Sequence, residues 1–270
     1  MGLNIGILGC GKLGTAFARG LLSHRVVSRE SLIVFQRGDG ERLERLRNEF
    51  GCRVFDAVTP VLSECDVIIS SVRPQDFQVA ASQLADYILR EQLLLSVMAG
   101  IKVATISNLL NGHLQIVRSM PNLPVQIGKG ANPYVVGSDV SDVNKAMAEK
   151  ILNSTGVSIE LEHEGQLDAV TAISGSGPGY VFTFIQSMLE ASRAAGIPEE
   201  LAISLIAQTI SGSLELWLGS PLDIDKLREG MRLKGGTTEA AFEVLEAANW
   251  KGNLVRAIFQ AHKRAIMLGS

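Results

Sequence analysis

The chain has 270 residues, 46% of them hydrophobic and 20% charged, with a formal net charge of -3. That is apolar material for one large or two modest domains, and the charge balance excludes an electrostatic nucleic-acid binder and a polybasic membrane anchor. No apolar run approaches the roughly 18 residues that span a bilayer, and MGLNIGILGCG lacks the basic start and cleavage site of a signal peptide, so a cytoplasmic protein without a membrane or nucleic-acid partner is expected.

The first part of the chain alternates short β-rich runs with helical stretches. Strands are predicted at Asn4–Leu8, Leu32–Phe35, Val67–Ser70, Leu93–Val97, Gln115–Arg118, Asn132–Val136 and Val157–Glu160. Most are continuously apolar, as strands buried on both faces of a parallel sheet are. Helical spacing falls between them at Leu13–Leu22, Glu41–Glu49, Val79–Leu89 and Val103–Leu110. This alternation predicts a Rossmann-type doubly wound α/β domain over residues 1–162. Beyond residue 162 the pattern is all-helical. Tyr180–Ala195, Glu199–Leu218, Asp225–Arg228, Thr238–Ala248 and Leu254–Met267 read as helices, with Gly196-Ile197-Pro198 as a stop and restart. Residues 163–270 thus form a second, all-α domain. The run Ala202–Leu218 carries more apolar surface than such a domain buries alone, which predicts packing against a second subunit. Trp217 and Trp250 read as core or dimer packing.

Gly9-Cys10-Gly11-Lys12-Leu13-Gly14 fits G-x-G-x-x-G between a predicted strand and a predicted helix, the context that makes the motif a dinucleotide site. Gly9 permits the tight turn, Gly11 lets backbone approach a pyrophosphate, and Gly14 allows close helix–strand packing. The N–H groups and dipole at the helix start, around Lys12 and Leu13, favour the phosphates. The second strand ends in Gln36-Arg37-Gly38 rather than in an acid, so Arg37 is placed to meet an adenosine 2′-phosphate. NADP(H) is the favoured cofactor and NAD(H) the alternative, Asp39 weighing towards the latter. Cys10 reads as a small filler, although a helix start lowers a thiol pKa. Glu41–Arg47 reads as an outward helix face with i,i+4 ion pairs. The three cysteines form no C-x-x-C pair and the four histidines lack zinc spacings, so neither a disulfide framework nor a metal is expected.

Further Gly-, Pro- and Ser-rich stretches follow the predicted strands: Ser71–Gln75, Ser96–Gly100 and Arg118–Pro124. That is where an open α/β sheet binds ligands. Two more, Ser174–Pro178 and Gly235–Thr238, lie in the helical part. In order, the stretches GILGCGKLGTAFARGLL, VRPQDF, SVMAGI, VRSMPNLPVQIGKGA, DAVTAISGSGPGYVF and GGTTEAAFEVLE resemble the pyrroline-5-carboxylate reductase family over essentially the whole chain.

The resemblance implies NAD(P)H-dependent reduction of the cyclic imine 1-pyrroline-5-carboxylate to proline by hydride transfer. It implies a Rossmann domain followed by a helical dimerisation domain, with the GGTT segment of a neighbouring subunit completing each site in a homodimer or larger assembly. It assigns Thr238 to the ring nitrogen of the substrate, and the N–H groups of Gly236 and Thr237 to its carboxylate. Met120, Pro121 and Asn122 become the floor of the site. Val72, Arg73 and Pro74 become a cofactor loop, and Met98, Ala99 and Gly100 line the nicotinamide. The family pattern before Gly-Gly-Thr-Thr is Ser/Thr-Pro, whereas this chain has Leu233-Lys234. Leu233 offers no hydroxyl to a carboxylate, a loss of about 1.5–3 kcal/mol. Either Lys234 replaces that interaction, or backbone N–H groups suffice, or the chain acts on a different cyclic imine or imino acid. A cofactor-binding regulatory protein without turnover is the remaining alternative. Arg73 for a common lysine and Gly179 for a common alanine are milder departures.

Overall fold

A computed structural model describes residues 2–38 and 40–268. Asp39 lies outside them. The chain divides into two compact units, Met1–Ser176 with Ala261–Ser270, and Gly177–Gln260.

The first unit holds an eight-stranded sheet: β1 (Ile5–Leu8), β2 (Leu32–Phe35), β3 (Arg53–Phe55), β4 (Val67–Ser70), β5 (Leu93–Ser96), β6 (Ile116–Ser119), β7 (Gly130–Val136) and β8 (Gly156–Glu160). Their spatial order is β3-β2-β1-β4-β5-β6-β7-β8. β1 lies between β2 and β4, with Ile5 opposite both Leu32 and Val67. β1 to β6 are parallel, whereas β7 runs antiparallel to β6, and β8 follows β7 in parallel. Helices of this unit are α1 (Lys12–Ser23), α2 (Gly40–Phe50), α3 (Pro74–Leu84), α4 (Val103–Leu109), α5 (Asp142–Asn153) and α6 (Gln166–Val170).

The continuous apolar runs have the predicted cause. Ile5, Ile7, Val34, Leu93 and Leu95 enter one core with Phe17, Leu21 and Ile151. Their neighbours Leu8, Ile33, Phe35 and Leu94 enter another with Phe77 and Ile106. Alternate residues of each strand therefore bury on opposite faces, so neither face spares a polar position.

Several elements differ from the sequence reading. β3 was not predicted: it is a three-residue edge strand in which only Val54 is buried. α5 was also missed, because its composition is polar and it buries only Asn144, Ala148, Ile151 and Leu152. Its start is nonetheless marked by Ser141, whose hydroxyl accepts from the Asn144 N–H. α3 begins at Pro74 and ends at Leu84, earlier than the predicted 79–89, because proline takes the first helical position behind an extended Arg73. α6, followed by a wide π-type turn over Thr171–Gly175, is not among the predicted helices. α6 packs on β7 and buries Leu167 completely, so the compact division falls later than the change of pattern at 162.

The remaining helices are α7 (Gly177–Ala194), α8 (Glu199–Gly219), α9 (Ile224–Gly230), α10 (Thr237–Ala247) and α11 (Trp250–Leu268). α7, α10 and α11 bury no residue within one chain, and α8 buries only Ala202 and Ile206. Trp217 and Trp250 are exposed, which removes the core half of their reading. α8 is long and apolar enough to cross a membrane by length and composition alone, the one such helix among the described residues. Gln208, Thr209, Ser211, Ser213 and Glu215 interrupt its apolar surface.

Candidate active site

β1 enters a turn in which Gly9 takes φ 86° and donates its N–H to the Phe35 carbonyl at 2.8 Å. Gly11 precedes α1, and no side chain caps that helix, so its first N–H groups face outward for an anion. Ser71, at the end of β4, donates its hydroxyl to the Gly9 carbonyl, and Val72 packs against Gly9. The loops after β1 and β4 thus brace each other. Gln36, just beyond β2, accepts the Cys10 N–H at 2.6 Å and donates to the Arg37 carbonyl at 2.6 Å. Gln36 is therefore bound into the turn itself. Cys10 is buried, and burial pushes its thiol pKa up, in keeping with the filler reading.

Between the ends of β1, β2 and β4 lies a cleft of about 550 Å³ bordered by the glycine turn and by Arg37, Arg42, Arg73, Asp56 and Asp76. Arg37 is largely exposed and its guanidinium stands 3.9 Å from Asp76. Asp76 is also bound by Arg73 at 2.7 Å. Among the described residues, the lining of the cleft thus carries three guanidiniums and two carboxylates. Arg42 was missed by the sequence reading, which placed it on an outward face. Its stem instead lies against Gly38 and its guanidinium reaches the Cys10 carbonyl at 3.5 Å. Its position in the first turn behind the strand-end loop was the available signal. Farther along the same helix the outward ion pairs hold, Arg45 with Glu41 and Arg47 with Glu44.

Beyond β5, Met98 turns its side chain into the core, where its sulfur accepts from the Ser70 hydroxyl at 3.4 Å. A nicotinamide-lining role for that side chain is thereby corrected: Ala99 and Gly100 are the accessible members of the loop. Beyond β6, Asn122 accepts the Ala131 N–H at 2.9 Å and donates to the Ser174 carbonyl at 3.1 Å. Met120 lies beside Gly175. The Met120–Asn122 floor and the Ser174-Gly175 turn are thus one assembly.

In the second unit, Gly236 precedes α10, and Thr237 and Thr238 form its uncapped first turn. The Gly236 N–H is taken by the Leu233 carbonyl at 2.8 Å, which corrects its assignment as a free donor to substrate. The Gly235 N–H is taken by Glu239 at 2.6 Å. Thr237 and Thr238 keep the helix-start position. Leu233 is 71% exposed, and Lys234 is also exposed. The sequence reading missed what frames this loop. The guanidiniums of Arg228 and Arg232 lie 5.5 and 5.1 Å from the Phe242 ring, and both pair with Glu246, tying α9 to α10. The i,i+4 spacing within each pair was the signal. Among the described residues no group of His, Cys, Asp or Glu is arranged to hold a metal ion.

Comparison with known proteins adds the following. Residues 164–268 match the family model for pyrroline-5-carboxylate reductase dimerisation, and residues 4–100 match that for coenzyme F420-dependent NADP oxidoreductases. The chain is 33% identical to pyrroline-5-carboxylate reductase 2 of Bacillus subtilis over 97% of its own length and 93% of the relative's. It is 31% identical to the pyrroline-5-carboxylate reductase of Pseudomonas aeruginosa over 98% and 96%. A crystal structure of the Plasmodium falciparum pyrroline carboxylate reductase with NADP bound superimposes with a TM-score of 0.89 at 27% identity, over 99% of this chain and 98% of the other.

Proposed function

The chain belongs to the pyrroline-5-carboxylate reductase family, and from that membership we propose that it reduces 1-pyrroline-5-carboxylate to L-proline with NADPH. The observation that carries the reading is likeness along the full chain to reductases of this name, one of them holding NADP. The residues fit such a cofactor: an uncapped helix start follows a glycine turn, beside an arginine-lined cleft at the strand ends.

When bound, the nicotinamide supplies the hydride that the imine carbon accepts. The chain's own task is to hold and orient. The start of α1 takes the pyrophosphate, Arg37 with Arg42 the 2′-phosphate, and Val72–Pro74 with Ala99 and Gly100 the rest of the dinucleotide. Met120–Asn122 form the floor beneath the substrate ring. Thr238 holds the ring nitrogen through its hydroxyl, and the Thr237 N–H meets the carboxylate. No strong enzymic acid is needed, because an imine protonated in solution already accepts hydride. The dimerisation region supports homo-oligomerisation. We read the minimum unit as a homodimer, closed by the apolar faces of α8 and α11, with residues 163–270 lending Thr237 and Thr238 to a neighbouring subunit. Three free, buried cysteines support a cytoplasmic setting.

The test is loss of NADPH absorbance when 1-pyrroline-5-carboxylate is added to purified protein; turnover no higher than in Thr238→Ala overturns the reading. A second reading, reduction of a different cyclic imine, is favoured by one observation. Where the family has a hydroxyl this chain presents exposed Leu233, with the Glu239 carboxylate on the adjoining Gly235 N–H. Turnover of other imines in preference to pyrroline-5-carboxylate selects it.

A further inference from the structure

Glu164 takes no part in the binding or chemistry described above, yet one of its carboxylate oxygens joins two separate walls of the site. Oε1 accepts the backbone N–H of Val103 at 2.8 Å and a guanidinium N–H of Arg118 at 2.7 Å. Val103 opens α4, whose flanking residue Lys102 supplies no side-chain cap, so a carboxylate 61 residues away in sequence performs that role. The Met98–Gly100 loop ends three residues before Val103, and the Met120–Asn122 floor begins two residues after Arg118. The Arg118 side chain is only 6% exposed, so its buried charge is compensated by this partner.

The carboxylate is presented from a rigid turn. The Gln166 side chain accepts the N–H groups of Glu162 and His163, the Leu167 N–H closes on the Glu164 carbonyl, and Leu167 is fully buried. Glu164 is also the first residue of the matched dimerisation region, although it packs with the sheet unit.

We propose that Glu164 is a positioning residue for hydride transfer, fixing the loop after β5 and the floor after β6 relative to each other through its single shared oxygen. The proposal rests on the reductase reading and on those two loops as the walls of the reaction site. A carboxylate that sets the spacing of two walls acts on the approach of the reacting carbons, and small errors there cost rate rather than affinity.

The experiment compares full-length wild type, Glu164→Gln, Glu164→Ala and Arg118→Lys. The readouts are kcat, KM for NADPH, the deuterium isotope effect with 4-deuterated NADPH, and hydrogen exchange across residues 98–103. Glu164→Ala is expected to lower kcat about tenfold or more while KM for NADPH moves less than about threefold. Its isotope effect on kcat rises and exchange at 98–103 quickens. Glu164→Gln keeps an acceptor oxygen and recovers much of the rate. Wild-type kcat and isotope effect in Glu164→Ala, or a rate that falls only with the folded fraction, overturns the proposal. Should Glu164→Ala not fold, Glu164→Gln and Arg118→Lys decide on the same readouts: a raised isotope effect in Arg118→Lys supports the proposal and wild-type values in both variants overturn it. Absence of wild-type turnover is the separate failure of the reductase reading. Unchanged exchange at 98–103 in the variants then overturns the tie itself.

Discussion

A β-carbon on Gly14 would overlap the carbonyl oxygen of Gly9 and stand 2.7 Å from the Ser71 hydroxyl. At Gly11, three residues earlier in the same motif, an added carbon meets nothing within 4 Å. The two glycines therefore fail differently. Gly14→Ala is expected to destabilise the ligand-free protein by about 1–3 kcal/mol through overpacking against backbone. Gly11→Ala is expected to leave ligand-free stability within about 0.5 kcal/mol and to lose NADPH binding, because the methyl group occupies the path of the pyrophosphate. Thermal unfolding without ligand, beside NADPH titration, separates them.

Arg37 tests cofactor choice. Its guanidinium is exposed at the mouth of the arginine-lined cleft and only loosely paired with Asp76. Arg37→Ala should raise KM for NADPH roughly ten- to a hundredfold, the worth of one charge-assisted hydrogen bond. KM for NADH should barely move. An equal effect on both cofactors would show that Arg37 shapes the cleft without reading the 2′-phosphate.

His113 lies buried before β6, and its Nε2 has no hydrogen-bond partner among the described residues. Burial lowers its pKa from the ordinary 6.5. The unfolded chain takes up the proton first as pH falls. Stability is therefore full above about pH 6.5, is lost progressively below it, and levels off once the folded-state value is passed. His113→Phe, with no proton to take up, should flatten the decline of stability between neutral and mildly acidic pH. Denaturant unfolding at a series of pH values checks this, and parallel curves would reject it.

Leu233 and Lys234 decide between the two substrate readings. Replacing both by the family pair, Leu233→Ser with Lys234→Pro, restores a hydroxyl beside the GGTT turn. If the present pair marks a changed substrate, KM for pyrroline-5-carboxylate should fall about tenfold with kcat nearly constant. Steady-state kinetics answers the point, and an unchanged or higher KM speaks against a changed substrate.

What the sequence carried follows from which forces are local. Ile5–Leu8 and Leu32–Phe35 are legible because burial on both faces demands unbroken apolar runs. The glycine turn is legible because its steric demands fall on consecutive residues. Val54 alone could not announce β3, and α5 hides its few buried residues among polar ones. At the site, the use of Gly236's N–H by Leu233, the inward turn of Met98 and the capping of Val103 by Glu164 are all contacts made after folding. No periodicity encodes them. The Arg228, Arg232, Phe242 and Glu246 cluster falls between these cases: its spacing is visible in the chain, its partnership only in space.

Because α7, α10 and α11 bury nothing within one chain, the proposed assembly would make the durability of this enzyme a matter of concentration. With their apolar faces covered by another copy, as proposed above, folding of the second unit and association would be one equilibrium. Near the dissociation constant each tenfold dilution removes about 1.4 kcal/mol from the assembled state. The sheet unit, with two cores of its own, is under no such constraint. A dilution series should therefore pass through a regime in which NADPH is still bound and reduction has ceased.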